Sequence, residues 1–242
     1  MRHLRFLPAA LGFALAPALL ADPTDPVSPL VTVTFSSALT EVLHDQRAEN
    51  LDDSFTFALG VFANEFLPTS ANTSSWISNF VPFFEADFAD QAPAVPRFGG
   101  EAEMMSDGSS SANPATTGTF SFSGMEAWLW VYNGVDIEDT GTEWFLGRAN
   151  DWVFPTFADL NPERDCDDCP GSFPVQWALS DLFQTAPVWG RREAQEGAGF
   201  VINPNESAKL QTYAVIPEPR TWVFVAGLFS IFVLHFRHRR QS

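Results

Sequence analysis

Short runs in which every second residue is apolar, separated by turn-rich stretches, restrict this chain to a mainly β fold. Residues 30–35 alternate, and residues 55–62 carry Phe55, Phe57, Leu59 and Val61 at period two. Residues 119–122, 127–132 and 144–146 continue the pattern, and residues 199–202 and 210–216 supply the last strands. Side chains two apart on a strand share a face, so this spacing of β-branched and aromatic residues marks half-buried strands. The intervening residues 68–75, 107–118 and 161–171 are rich in Pro, Gly, Asn, Asp and Ser, which close turns. Two candidate helices, residues 74–84 and 175–184, are too short to argue an α/β fold. The pattern predicts one β-sandwich, jelly-roll-like or Ig-like, with no repeat at solenoid or propeller periods.

The two ends follow different rules. Arg2, His3 and Arg5 precede an apolar stretch over residues 6–20, with small residues at Ala18 and Ala21, which is the order of a secretory signal peptide. That stretch is shorter than the ~20 residues a spanning helix requires. Residues 1–21 are expected to be removed, leaving Asp22 first; cleavage after Ala18 is the alternative. At the other end, Pro217 and Pro219 forbid regular helix before residue 219. Residues 222–234 carry no charge, and a basic cluster follows. A transmembrane helix is expected over residues 222–236, with Trp222 at the headgroup level and residues 22–214 on the outer side by the positive-inside bias. The apolar run is short, so spanning calls on snorkelling side chains or a thinned bilayer.

A Pro217-Glu218-Pro219 triplet, a single apolar helix and terminal arginines within the last 26 residues resemble the PEP-CTERM sorting signal. In that family an exosortase, a membrane-embedded cysteine transpeptidase-like enzyme, cuts near the motif and releases the protein or transfers it to the cell surface, mainly in Gram-negative bacteria that make exopolysaccharide. The resemblance implies that Pro217, Glu218 and Pro219 are the recognition triplet, that Arg237, Arg239 and Arg240 stop transfer, and that an exosortase is the partner. It implies inner-membrane anchorage before processing and a cell-surface or extracellular place afterwards. Residues 217–242 would be the sorting domain and residues 22–216 the ectodomain. The resemblance covers the tail and implies a route rather than an activity. Residues 128–132, 143–146 and 152–155 weakly resemble a pattern in other PEP-CTERM ectodomains, which bears on fold alone.

Charge narrows the partners. Residues 22–214 hold seven Lys or Arg (Arg47, Arg97, Arg148, Arg164, Arg191, Arg192 and Lys209) against 29 Asp or Glu, a net charge of −22. Nucleic acid is excluded as a partner, because binding it requires a basic surface that neutralises phosphates. A solvated acidic surface keeps an exported protein soluble, and binding of divalent cations is the alternative.

Cys166 and Cys169 are the only cysteines, and an even count in an exported chain reads first as a disulfide. Closing so small a loop constrains the unfolded chain by roughly 2 kcal/mol. Zinc lacks ligands, since His44 is the one histidine beside this pair in residues 22–216. Three neighbouring aspartates, Asp165, Asp167 and Asp168, oppose a lowered thiol pKa and hence redox catalysis. Those aspartates could instead hold Ca²⁺, although they do not form an EF-hand loop.

Seven tryptophans lie between residues 22 and 216: Trp76, Trp128, Trp130, Trp144, Trp152, Trp177 and Trp189. Trp128, Trp130 and Tyr132 form a row on one strand face, either part of the core or a platform on which sugar rings stack. No residue is nominated as catalytic, cofactor-binding or metal-ligating, because the lone His44 leaves little scope for a Ser-His-Asp or Cys-His arrangement. The expected function is that of a non-enzymatic surface or extracellular-matrix protein associated with exopolysaccharide or biofilm. The alternatives are a carbohydrate-binding module using exposed tryptophans and, behind it, a glycan-active hydrolase built on Glu126 or Glu143, since glycosidases need only two carboxylates.

Overall fold

A computed structural model describes residues 27, 29–38, 41–47, 49–87, 98–136, 139, 141–157, 174–192 and 208–215. The described chain is mainly β, with ten strands in three sheets that form no closed barrel. The strands are β1 (Pro29–Ser36), β2 (Glu41–His44), β3 (Thr56–Phe62), β4 (Phe80–Asp87), β5 (Gly99–Met105), β6 (Trp128–Tyr132), β7 (Glu143–Gly147), β8 (Val175–Ala178), β9 (Ala208–Gln211) and β10 (Tyr213–Ala214). One sheet has the order β5-β1-β8, a second β10-β7-β6-β3-β4, and β2 pairs with β9. The pairs β1/β8 and β2/β9 are parallel; all others are antiparallel.

Period two is realised most clearly in β1, which buries Val31, Val33 and Phe35 and leaves Thr32 and Thr34 half-buried. These side chains meet Phe57, Leu59 and Val61 of β3, Leu129 and Val131 of β6 and Phe145 of β7 in one hydrophobic cluster. The same cluster takes in Phe98, Phe122, Trp152, Phe154 and Trp177. The central strands of the five-stranded sheet are buried along nearly their whole length, not at alternate positions. A strand reads as a continuous apolar run when both faces are covered, and WLWVY and EWFLG are such runs.

Several expectations are corrected. Residues 119–122 are not a strand: the Thr116 carbonyl accepts from the Thr119 and Phe120 N–H groups, and Phe122 enters the core from a turn, 5.0 Å from the Phe83 ring. The helix expected over residues 74–84 is only α1 (Trp76–Asn79), and β4 starts at Phe80. Pro82 lacks an N–H and would break a helix, yet it fits the edge strand β4 opposite a register shift in β3. The helix expected over residues 175–184 is strand β8 followed by a 3₁₀ turn over Leu179–Gln184. Asp181 fixes that junction, its Oδ2 accepting from the Ala178 N–H at 2.8 Å and from Trp152 Nε1 at 3.1 Å. Residues 210–216 divide between β9 and β10, which belong to different sheets. Strands β2 and β5 had no clear sequence signal. Residues 1–21, 199–202 and 217–242, with the expected span at 222–236, lie outside the described residues; among the latter no helix is long and apolar enough to cross a membrane.

The register shift explains Gly60. A Cβ there would lie 2.3 Å from the Val81 carbonyl oxygen and 2.8 Å from both the Phe80 ring and the Pro82 Cα. Because two of those neighbours are backbone, relief requires moving β4. Gly60→Ala is expected to lower stability by about 2 kcal/mol, read as a reduced urea midpoint with an unchanged slope.

Candidate functional site

Three features of the described residues could bear on function: an aromatic layer on the outer face of the five-stranded sheet, an ion pair at its rim, and a buried carboxylate at its edge. The aromatic layer follows from strand parity. Phe62 of β3, Trp128 and Trp130 of β6 and Trp144 and Leu146 of β7 point away from the other sheet, and Trp76 of α1 and Val215 cover them. Trp76 stacks on Trp144 with centroids 5.4 Å apart and planes at 25°. Trp130 meets Trp76 and Trp144 edge to face at 6.1 and 5.1 Å. Indole N–H groups need acceptors when buried. Trp76 Nε1 donates to Asn72 Oδ1 at 2.9 Å, Trp144 Nε1 to the Gly134 carbonyl at 2.6 Å and Trp189 Nε1 to the Tyr213 carbonyl at 3.1 Å.

This geometry corrects the idea of a sugar platform on Trp128, Trp130 and Tyr132. The row does share one face, but Trp128 is 5% exposed and Trp130 1%. Stacking a sugar requires an open ring face, and these are covered by Phe62, Trp76, Phe80 and Trp144. Tyr132 is half-buried, and its hydroxyl donates to Glu85 Oε1 at 2.8 Å.

At the rim, the Arg148 guanidinium carbon sits 5.1 Å from the Trp128 ring centroid, and Arg148 Nη1 lies 2.7 Å from Glu126 Oε1. The cation therefore closes the edge of the aromatic layer, and the partly exposed ion pair adds at most about 1 kcal/mol.

Glu143 is a different kind of carboxylate. It is buried, and its Oε2 accepts from the Gln46 N–H at 2.9 Å and from Thr212 Oγ1 at 2.6 Å. Its own N–H donates to Asn133 Oδ1 at 2.7 Å. Gln211 Nε2 donates to the Asp45 and Gln46 carbonyls, and the Thr212 N–H to that of His44. One carboxylate thus joins the loop after β2, the β6–β7 hairpin and the segment that passes from β9 to β10. His44 is buried at the end of β2 beside this junction.

Glu126 and Glu143 do not form a catalytic pair. Glu126 bridges Val153 before β6 begins, whereas Glu143 faces Asn133 just after β6 ends. Seven residues of strand separate those places by about 23 Å, well beyond the ~5–10 Å between glycosidase carboxylates. Among the described residues no group of three or more His, Cys, Asp or Glu could hold a metal ion. Cys166, Cys169 and the aspartates around them, like the sorting triplet and Arg237, Arg239 and Arg240, lie outside the described residues.

Two loop carboxylates are held below their ordinary value. Burial pushes Asp107 up, but hydrogen bonds from the Ser109 hydroxyl and N–H and from the Gly118 N–H outweigh it. The Ser54 hydroxyl and N–H lower Asp52. Such groups add stability above about pH 4 that is lost as the pH falls through their folded values.

No family model, no curated protein and no solved structure matches the chain.

Glu143→Ala strands the buried Thr212 hydroxyl and frees the Gln46 N–H, and is expected to cost about 2 kcal/mol in denaturant unfolding, whereas Glu143→Gln keeps an acceptor for Thr212 and should cost visibly less.

Proposed function

We propose that this chain is an exported protein, held in the membrane by its C-terminus, processed by an exosortase and delivered to the cell surface or extracellular matrix, where it acts without catalysis. The observation that carries the reading is the order of the last 26 residues: Pro217-Glu218-Pro219, an apolar stretch, then Arg237, Arg239 and Arg240. In this reading the two larger sheets are the layers of a β-sandwich ectodomain. Their shared core, with Val33 and Phe35 from one sheet and Phe57, Leu59 and Leu129 from the other, supports that assignment.

The end of the fold also supports it. Val215 is buried, and its N–H donates to the Thr142 carbonyl at 2.8 Å. The last buried position among the described residues therefore precedes the triplet by two positions, so a cut at or after the triplet leaves the described core whole. The strongly acidic ectodomain suits a soluble or matrix-bound product. A non-catalytic role agrees with the two nominated acids, since Glu126 is ion-paired and Glu143 is committed to internal donors.

Mass spectrometry of the mature protein from its own cells tests this reading. The expected product begins at Asp22 and lacks Arg237, Arg239 and Arg240. A product that still ends in the arginine cluster overturns it.

A further inference from the structure

Three exposed apolar side chains gather around the stacked Trp76 and Trp144. Leu67, Ile77 and Val135 are 66%, 51% and 43% exposed. Ile77 follows Trp76 in α1. The Leu67 carbonyl accepts from Asn72 Nδ2 at 3.0 Å, and the same Asn72 accepts the Trp76 indole N–H. Val135 follows Gly134, whose carbonyl accepts the Trp144 indole N–H. A tight turn delivers Phe66 and Leu67 to this place: Asn64 and Glu65 have φ of 56° and 57°, and the Phe66 N–H donates to the Ala63 carbonyl. Two consecutive positive φ values make a type I′ turn, in which glutamate is an unfavourable occupant.

The chain leaves the described fold at the same rim. Tyr213 stands opposite Trp144 in the β7/β10 register, and Val215 belongs to the outer aromatic cluster. Trp222, where the apolar tail begins, is seven residues further on. Seven residues reach about 25 Å at full extension, which is less than a small domain's width. Charge is distributed to match around Leu67 and Ile77, whereas Asp136 directly follows Val135. Residues 66–84 contain no Asp, Glu, Lys or Arg, although residues 22–214 carry a net −22.

We propose that this rim is the surface that rests on the lipid bilayer before processing, with Leu67, Ile77 and Val135 entering the headgroup layer. The proposal rests on the tethered reading given above and specifies which face the tether turns to the membrane. An interface accepts apolar and hydroxyl-bearing side chains, whereas acidic surfaces are repelled by anionic headgroups. The charge-free stretch around Leu67 and Ile77 supplies the former. Val153 and Phe157 are also exposed but lie elsewhere, Val153 bridging Glu126 beyond the far end of β6 and Phe157 near the Gly108 turn.

The test uses isotope-labelled full-length protein in nanodiscs of phosphatidylethanolamine and phosphatidylglycerol bearing a headgroup nitroxide. The amide signals of Leu67, Ile77 and Val135 are expected to be lost, while those of Val153 and Phe157 persist. In the variant Leu67→Ser/Ile77→Ser/Val135→Ser, with an unchanged melting temperature, the signals at all three positions should return. If an acyl-chain nitroxide broadens residues 222–236 but the headgroup probe spares the rim, the docking face is wrong and the tether survives. Unbroadened residues 222–236 overturn the tether and the docking face together. Broadening that persists in the triple variant overturns the docking role by showing that the tether alone imposes proximity.

Discussion

The stack of Trp76 on Trp144 closes the outer face of the five-stranded sheet, and the strands beneath are apolar on both sides because that face is closed. Without the cover from residues 63–79, Phe62, Trp128, Trp130 and Leu146 would present a broad apolar surface to water. With it, β3, β6 and β7 bury side chains on both faces, one face in a cluster shared with Val31, Val33 and Phe35 of β1, the other in a cluster with Trp76 of α1. The cover is thin. It is one helical turn, Asn72 holding the Trp76 indole, and a type I′ turn that folds Phe66 back onto Phe62 at 5.5 Å.

The second constraint is the closure of the chain at Glu143. Its two donors come from residues 97 and 69 positions away in sequence. A buried carboxylate is tolerated because both donors converge on one of its oxygens, and those bonds pin the C-terminal strands to the loop after β2. The described fold therefore reaches Val215, two positions before the triplet on which the proposed processing acts. Closure and exit lie along the β10 edge of the five-stranded sheet.

The strands that the sequence displays are those whose pattern is local. β1 and β3 are legible because every second side chain meets the same cluster. β6 and β7 are legible as strands, but period two in Trp128, Trp130 and Tyr132 does not say whether the second face meets water or another layer; Trp76, far away in sequence, decides that. The helix expected over residues 74–84 stops at Asn79, because Pro82 has no N–H to continue it and the chain from Phe80 pairs with β3 instead. β5, with the sequence GGEAEMM, has poor strand propensity and exists because β1 pairs with it and Gly100 leaves room for the Phe84 ring, 2.7 Å from where a Cβ would stand. Glu143 stood out as an acid beside tryptophan, yet its role depends on Gln46 and Thr212, which no local pattern brings to it.

That the outer tryptophans are core, and not a ligand face, is the claim on which the rest stands. The most direct measurement is the unfolding free energy of Trp76→Ala. Removing a fully buried indole that touches Phe62, Trp130, Trp144 and Trp189 is expected to cost about 3–5 kcal/mol and to lower the melting temperature in a single cooperative transition. A variant that unfolds within about 1 kcal/mol of the parent would contradict the account, because an exposed aromatic can be truncated at that small a cost.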